Sequence, residues 1–248
     1  MKNKKLIIFD LDGTLAKSKS PIDTKMSALL SKLLTKKDVA VISGGAYKQF
    51  ESQFLTPLKC PKELLKKLYL FPTCSTSFYR YTDKWANVYK EELTIEEKSK
   101  IIYAFSKATR EVSFEITEKP HGNIMEDRGS QVTFSALGQE APIDIKQKWD
   151  PHFKKRLELK KILENYLPNY EIRVGGTTSV DVTKKGIDKA YGIEQIEKHL
   201  GYKKEEMLFI GDALFEGGND YPVKQTGVYC IETTGPEGTK EIITKLLQ

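Results

Sequence analysis

Ile7-Ile8-Phe9-Asp10-Leu11-Asp12-Gly13-Thr14-Leu15 is the stretch whose reading decides the fold. A short apolar run of this kind reads as a fully buried strand. It ends on a carboxylate, with a second carboxylate two positions on and then Gly-Thr. Side chains alternate along an extended chain, so Asp10 and Asp12 are expected to point the same way. Two carboxylates that close raise each other's cost of ionisation unless a cation sits between them. Mg2+ suits an oxygen-only site, because it takes a few carboxylates and keeps waters and substrate phosphate as its other ligands. One Asp can then attack phosphorus while the other handles the proton. An arbitrary Asp-x-Asp-Gly is more often a turn. Here the strand before it and the motifs after it favour a site.

Working outward, residues 16–23 are a polar loop, and Asp23 or Thr24 can cap a helix with Met26, Leu29, Leu30, Leu33 and Leu34 on one face. Asp38–Ile42 reads as a second buried strand ending on Ser43-Gly44-Gly45, with a helical stretch from Ala46 to Phe54. Glycines let the backbone approach an anion, and the free N–H groups and dipole of a helix start favour phosphate. Leu68–Tyr81 and Trp85–Tyr89 read as strands, and Thr94-Ile95-Glu96-Glu97 as a capping box opening a helix to about Ala108. Further strands are expected over 112–117 and 131–137, with the polar segment 118–129 between them. A Lys-rich helix is expected from Pro151 or His152 to about Leu167, then a strand pair, 170–174 and 179–183, around Gly175-Gly176. This middle region has the mixed order of an α+β unit.

From Gly186 the alternating pattern returns. Asp188–Leu200 reads as a helix, and Met207–Ile210 as a buried strand ending on Gly211-Asp212. Gly227–Ile231 reads as a strand and Glu237–Leu247 as the closing helix. The expected fold class is therefore α/β: a parallel-sheet core from residues 1–82 and 187–248, with an inserted α+β domain over 83–186.

The chain of 248 residues is 39% hydrophobic, and it has no apolar run long enough to span a membrane. Its basic start is followed by too short an apolar stretch for a signal peptide, so a cytoplasmic protein is expected. Cys60, Cys74 and Cys230 are widely spaced, which fits reduced thiols rather than disulfides or zinc. The net charge is +6, yet the lysines are spread over helical faces rather than clustered with aromatics, so no nucleic-acid partner is expected. A mild positive field would instead help collect an anionic phosphate. His121, His152 and His199 lack metal spacing, Trp85 and Trp149 read as packing residues, and Ser43 has no histidine partner for serine-hydrolase chemistry.

Asp10, Ser43 and Asp212 all fall at the C-terminal ends of apolar strands. In a parallel α/β sheet these tips share one edge, where ligands bind. Asp212 can complete a metal site with Asp10 and Asp12, and Asn219 and Asp220 can order the waters or loop around it. Lys189 lies where the chain re-enters the core, placed to neutralise a phosphoryl group and an attacking carboxylate.

Asp10-Leu11-Asp12-Gly13-Thr14, Ser43, Lys189 and Gly211-Asp212 through Asn219-Asp220 resemble, in order, the four motifs of the haloacid dehalogenase superfamily. Gly175-Gly176-Thr177-Thr178-Ser179-Val180-Asp181-Val182, Arg128-Gly129-Ser130-Gln131-Val132 and the Gly217-Gly218-Asn219-Asp220 tail are similar to its eukaryotic-type phosphomannomutase branch. The resemblance implies a Rossmann-like core with a large cap inserted between the second and third motifs. It implies Asp10 as the nucleophile forming an aspartyl phosphate and Asp12 as the general acid and base. It also implies Mg2+ on Asp10, Asp212 and the Asp12 backbone carbonyl, and Ser43 and Lys189 on the phosphoryl group, with Gly44 beside them. Arg128, Ser179 and Asp181 of the cap would face a sugar phosphate, and a homodimer through the cap would fit the branch. There are departures. Gln139 follows Gly138 where the mutase pattern has arginine, residues 141–146 lack a further arginine, and Lys19 stands for an arginine near the first motif. Lysine does not replace a bidentate guanidinium clamp.

The leading expectation is a Mg2+-dependent phosphatase on a small sugar phosphate, because the second phosphate clamp is incomplete. A phosphomannomutase or other phosphohexomutase stands next to it. A non-catalytic phosphosugar-binding protein is a distant third, since fold alone does not fix function.

Overall fold

A computed structural model describes residues 3–114 and 119–248. The chain divides into two units, residues 1–90 with 188–248, and residues 91–187.

In the first unit, seven strands form one sheet: β1 (Leu6–Asp10), β2 (Asp38–Ile42), β3 (Leu68–Phe71), β4 (Ser77–Tyr81), β5 (Trp85–Lys90), β10 (Met207–Gly211) and β11 (Tyr229–Glu232). Their order across the sheet is β11-β10-β1-β2-β3-β4-β5. β11, β10, β1, β2 and β3 run parallel, while β4 and β5 pair antiparallel at the edge. Alternation along β1 and β10 feeds two cores. Ile7, Phe9, Leu208 and Ile210 bury against Leu30, Leu33 and Leu34 of helix Thr24–Lys36 on one face. Leu6, Ile8, Met207 and Phe209 bury against Ile193 and Ile196 of helix Lys189–Leu200 on the other. Covering both faces explains why these strands read as continuous apolar runs. Asp23 is the cap of the first helix, its carboxylate accepting from the Met26 N–H at 2.8 Å.

The expected strand 68–81 is in fact two. Pro72–Ser75 interrupts it, with Thr73, Cys74 and Ser75 all at positive φ (50°, 53° and 68°), and reverses the chain into β4. Hydrophobicity continues through the break, so pattern alone does not reveal it. β5 belongs to this sheet through its pairing with β4, which carries the first unit to Lys90 rather than to residue 82.

The second unit holds a four-stranded antiparallel sheet, β6 (Met125–Asp127), β7 (Gln131–Ser135), β9 (Ser179–Lys184) and β8 (Tyr170–Gly175), in the order β6-β7-β9-β8. Val132, Phe134, Ile172, Val180 and Val182 cover one face and bury with Ile101, Phe105, Leu159 and Leu163 from helices Ile95–Ala108 and Lys154–Tyr166. The intervening register positions, Gln131↔Thr183, Thr133↔Asp181 and Ser135↔Ser179, are all polar. β6 lies within the polar segment 118–129, where no strand is expected from the sequence, and a short helix, Ile143–Trp149, precedes Lys154–Tyr166. The strand expected over 112–117 falls partly on residues 115–117, outside the described residues, and Val112, Ser113 and Phe114 are bends.

A buried ion pair ties this unit together. Arg156 Nε donates to Asp150 Oδ2 at 2.8 Å, and its other nitrogens donate to the carbonyls of Asp150, Gly175 and Gly176. Burial pushes the Asp150 carboxyl up, but the Arg156 guanidinium and the backbone N–H groups of Arg156 and Lys155 outweigh it and hold it below its ordinary value. Removing one partner of such a pair leaves an uncompensated buried charge. Arg156→Leu should cost about 3–5 kcal/mol in urea unfolding at neutral pH. A carboxyl held low in the folded state stabilises above the unfolded carboxylate range and loses that contribution on acidification. The deficit of the variant should therefore shrink as the pH falls below about 4.

Candidate active site

Parallel pairing sets the site. Asp10 sits opposite Ile42 in the β1–β2 register, and Phe9 sits opposite Ile210 in the β1–β10 register. The residues that follow, Ser43 after β2 and Asp212 after β10, therefore emerge on the same edge as Asp10. Across this edge Lys189, the first residue of helix Lys189–Leu200, extends its ammonium. Its Nζ donates to Asp10 Oδ1 at 2.6 Å and also binds Asp220 Oδ1. Asp220 Oδ2 accepts from the Ala213 N–H at 3.0 Å, which folds the Gly-rich loop back over the tip of β10. Asp10 and Lys189 are 2% exposed and Asp220 is fully buried, so these charges interact with little screening from water.

Asp10, Asp212 and Asp220 each offer an oxygen within 4.8 Å of the others. Thr14 Oγ1 donates to Asp212 Oδ1 at 3.3 Å. Gly13, at φ +90°, leaves the room that Asp212 occupies, since a Cβ there would lie 2.3 Å from Asp212 Oδ2. Burial, then the charge of Asp220, pushes the Asp212 carboxyl up. Burial pushes the Asp10 carboxyl well up, against the pull of Lys189. Burial would draw the Lys189 ammonium down, but Asp10 and Asp220 outweigh it and keep it charged. At full ionisation the three carboxylates would exceed the one ammonium by two negative charges, a repulsion that a bound cation would relieve. Asp10 Oδ2 is buried with no hydrogen-bond partner. An all-oxygen donor set with an open buried oxygen and an excess of acidic groups fits a hard divalent cation.

The expected residues are not all in one cluster. The extended strand stops at Asp10, and the chain turns through Leu11–Gly13, with the Gly13 N–H on the Ala16 carbonyl at 2.7 Å. Strand alternation therefore does not reach Asp12. The Asp12 carboxylate takes its own partners, the Lys19 N–H at 2.6 Å on Oδ1 and Gln49 Nε2 at 2.9 Å on Oδ2. Asp220, expected to order the surroundings, stands inside the acidic group, and Asn219 is partly exposed in the adjoining loop. Ser43 is buried, its Oγ accepting from the Gly45 N–H at 3.1 Å, and Gly44 lies between them. In the second unit, Asp181 Oδ1 accepts from Thr133 Oγ1 at 2.7 Å, and Ser179 shares that polar face. Arg128 is on the turn after β6 and pairs with Glu126 at 2.7 Å. Gln49 is absent from the sequence-based set; a single glutamine on a short helix carries no motif.

An aspartate, a lysine and a further acidic loop brought to one edge of a parallel sheet by motifs in this order make the protein a phosphoryl-transfer enzyme of the haloacid dehalogenase superfamily. More narrowly, residues 26–248 match the family described as eukaryotic phosphomannomutase, and the chain belongs to it. It is 27% identical over 254 residues to a phosphomannomutase of Saccharomyces cerevisiae, covering 99% of this chain and 95% of the relative. It is 25% identical to one from Encephalitozoon cuniculi, covering 99% and 94%. In fold it is similar to an N-terminally truncated Plasmodium falciparum IMP-nucleotidase, with TM-score 0.74 and 18% identity over 98% of this chain and 70% of that one. It is also similar to a haloacid dehalogenase-like hydrolase from Bacteroides thetaiotaomicron, with TM-score 0.63 and 16% identity over 98% and 99%. Among the described residues, no helix is long and apolar enough to cross a membrane.

A ligand that binds only the folded state raises its melting temperature. Millimolar Mg2+ should raise the thermal transition of the purified protein, and Asp212→Asn should remove most of that rise. An identical transition with and without the ion would contradict a cation site here.

Proposed function

We propose that this protein is a phosphohexomutase that moves a phosphoryl group between two positions of a hexose through Asp10. One observation carries this reading: the match to phosphomannomutases runs through nearly the whole of this chain and of its relatives. It supports the mutase alternative better than the hydrolytic reading that the missing arginines put first.

In this reading a hexose bisphosphate first charges Asp10, whose carboxylate bonds to phosphorus as the bond to the sugar oxygen breaks. The free hydroxyl of a hexose monophosphate then attacks that phosphoryl group, Asp12 taking its proton as the bond to Asp10 breaks, and a bisphosphorylated sugar results. After this sugar has turned, Asp10 attacks its other phosphorus and Asp12 gives the departing oxygen its proton. Lys189 and Ser43, with the N–H group of Gly44, hold the phosphoryl oxygens. Asp10, the Asp12 carbonyl and Asp212 would hold Mg2+, with Asp220 beside them. That ion supplies positive charge against which an anionic carboxylate can approach an anionic phosphate. Arg128 serves the second phosphate, and Ser179 and Asp181 the sugar hydroxyls. Lys19 supplements the charge beside Asp12.

Hydrolysis keeps a place as the second reading because of one local feature. At the position of the missing arginine, Gln139 offers its carbonyl to the buried Lys146, whose Nζ donates to it at 2.8 Å. The lysine that could stand in for a guanidinium is turned to the backbone there.

The test is 31P NMR of mannose 1-phosphate with Mg2+ and a catalytic amount of glucose 1,6-bisphosphate. The mutase reading expects mannose 6-phosphate and no net inorganic phosphate. Stoichiometric phosphate without the 6-phosphate would return the hydrolytic reading. Asp10→Asn should lower either activity by at least about 10^3-fold.

A further inference from the structure

Gln49 lies on helix Tyr47–Phe50, which opens just after Ser43-Gly44-Gly45. Its amide nitrogen has two N–H groups, and both are used: one on Asp12 Oδ2 and one on Gln53 Oε1, each at 2.9 Å. Both partners are acceptors, so only the nitrogen end of the amide can serve them together. Gln53 is 5% exposed and is anchored in turn, its backbone carbonyl accepting from the Ile22 N–H at 2.9 Å. It belongs to a five-residue π-helix, Glu51–Leu55, that directly continues the helix carrying Gln49. Such π turns are rare and cluster at functional sites.

Space is kept for this amide as well. A Cβ on Gly45 would lie 2.4 Å from Gln49 Oε1, so any other residue at 45 would displace it. On its far side the Asp12 carboxylate is held by the Lys19 N–H at 2.6 Å, from a residue at φ +55°. A non-glycine residue in the left-handed region costs of order 1–3 kcal/mol. The fold thus grips Asp12 from two segments 30 residues apart in sequence, at Lys19 and Gln49.

We propose that Gln49 is a positioning residue for Asp12, aiming its carboxylate at the oxygen that gains and loses the proton, with Gln53 and Gly45 holding Gln49 in place. This rests on the reading of Asp12 as the proton-handling group. A general acid must sit within hydrogen-bond reach of its proton acceptor, and an error of about 1 Å can cost 10^2-fold. The Gln49 contact leaves substrate grip to other residues, so its loss should fall on kcat and not on KM.

The test uses the full chain with Gln49→Leu and, should that variant fold poorly, Gln49→Asn, which keeps an amide but shortens its reach. Each is assayed with Mg2+ on a hexose phosphate and on p-nitrophenyl phosphate, beside Asp12→Asn. The proposal expects kcat on the hexose phosphate to fall about 10- to 100-fold with KM within about twofold. It expects a much smaller fall on p-nitrophenyl phosphate, whose leaving group departs without needing a proton. Equal losses on both substrates, a change confined to KM, or wild-type kinetics would overturn it. Inactive Asp12→Asn beside an unimpaired Gln49→Leu would sink this inference alone. Full activity in Asp12→Asn would sink the reading beneath it.

Discussion

The structure is organised around one buried ammonium. Lys189 reaches into the edge of a parallel sheet and binds Asp10 and Asp220 where water is excluded. Burying any one of these charges alone would cost several kcal/mol. The arrangement is tolerable because the lysine offsets two carboxylates and a cation can offset the remainder. Such a cluster spends folding stability to keep a carboxylate oxygen, Asp10 Oδ2, open and unshared. That is what a nucleophile requires and what a purely structural ion pair would not leave.

The rest of the first unit follows from the need to bring these groups to one edge. β1, β2 and β10 are parallel neighbours, so their C-terminal ends meet although the residues come from distant parts of the chain. Helix Lys189–Leu200 buries Ile193 and Ile196 under the sheet, and this packing aims its first side chain across the strand tips. Gly13 allows the Asp212 carboxylate to approach where a side chain would collide. In the second unit the same strand alternation has another use. One face of its sheet closes a hydrophobic core, and the other presents Gln131, Thr133, Ser135, Ser179 and Asp181. These side chains are buried and linked to one another, Gln131 donating to Thr133 and Thr133 to Asp181, and Arg156 fixes the turn at Gly175-Gly176.

Family membership and local chemistry weigh on different parts of the reaction. In the proposed reading the half that transfers a phosphoryl group to Asp10 would need only the groups gathered in the first unit. The second half separates a mutase from a phosphatase, because a mutase must keep a bisphosphorylated sugar long enough to turn it over. In the proposed reading that retention would turn on Gln139, whose carbonyl holds the inward-turned Lys146.

The apolar runs, the carboxylates that end them, the Ser-Gly-Gly turn and the position of Lys189 are local patterns, so the α/β core and its principal chemical groups were legible in the sequence. So were the capping box at Thr94 and the cap at Asp23, which involve residues three apart. Other features depend on contacts that local pattern does not encode. The left-handed break at 73–75 hides inside a continuous hydrophobic stretch, and β5 joins the first sheet only through its pairing with β4. The turn after Asp10, closed by the Gly13 N–H on the Ala16 carbonyl, is not written in the apolar pattern, and the pairing of Asp12 with Gln49 spans 37 positions. Sequence by itself determined which chemistry the chain carries, since residue types and strand ends are read in order along it. Tertiary structure alone decided which carboxylates share a charge cluster and which stand apart, because that depends on distances set by packing between segments remote in the chain.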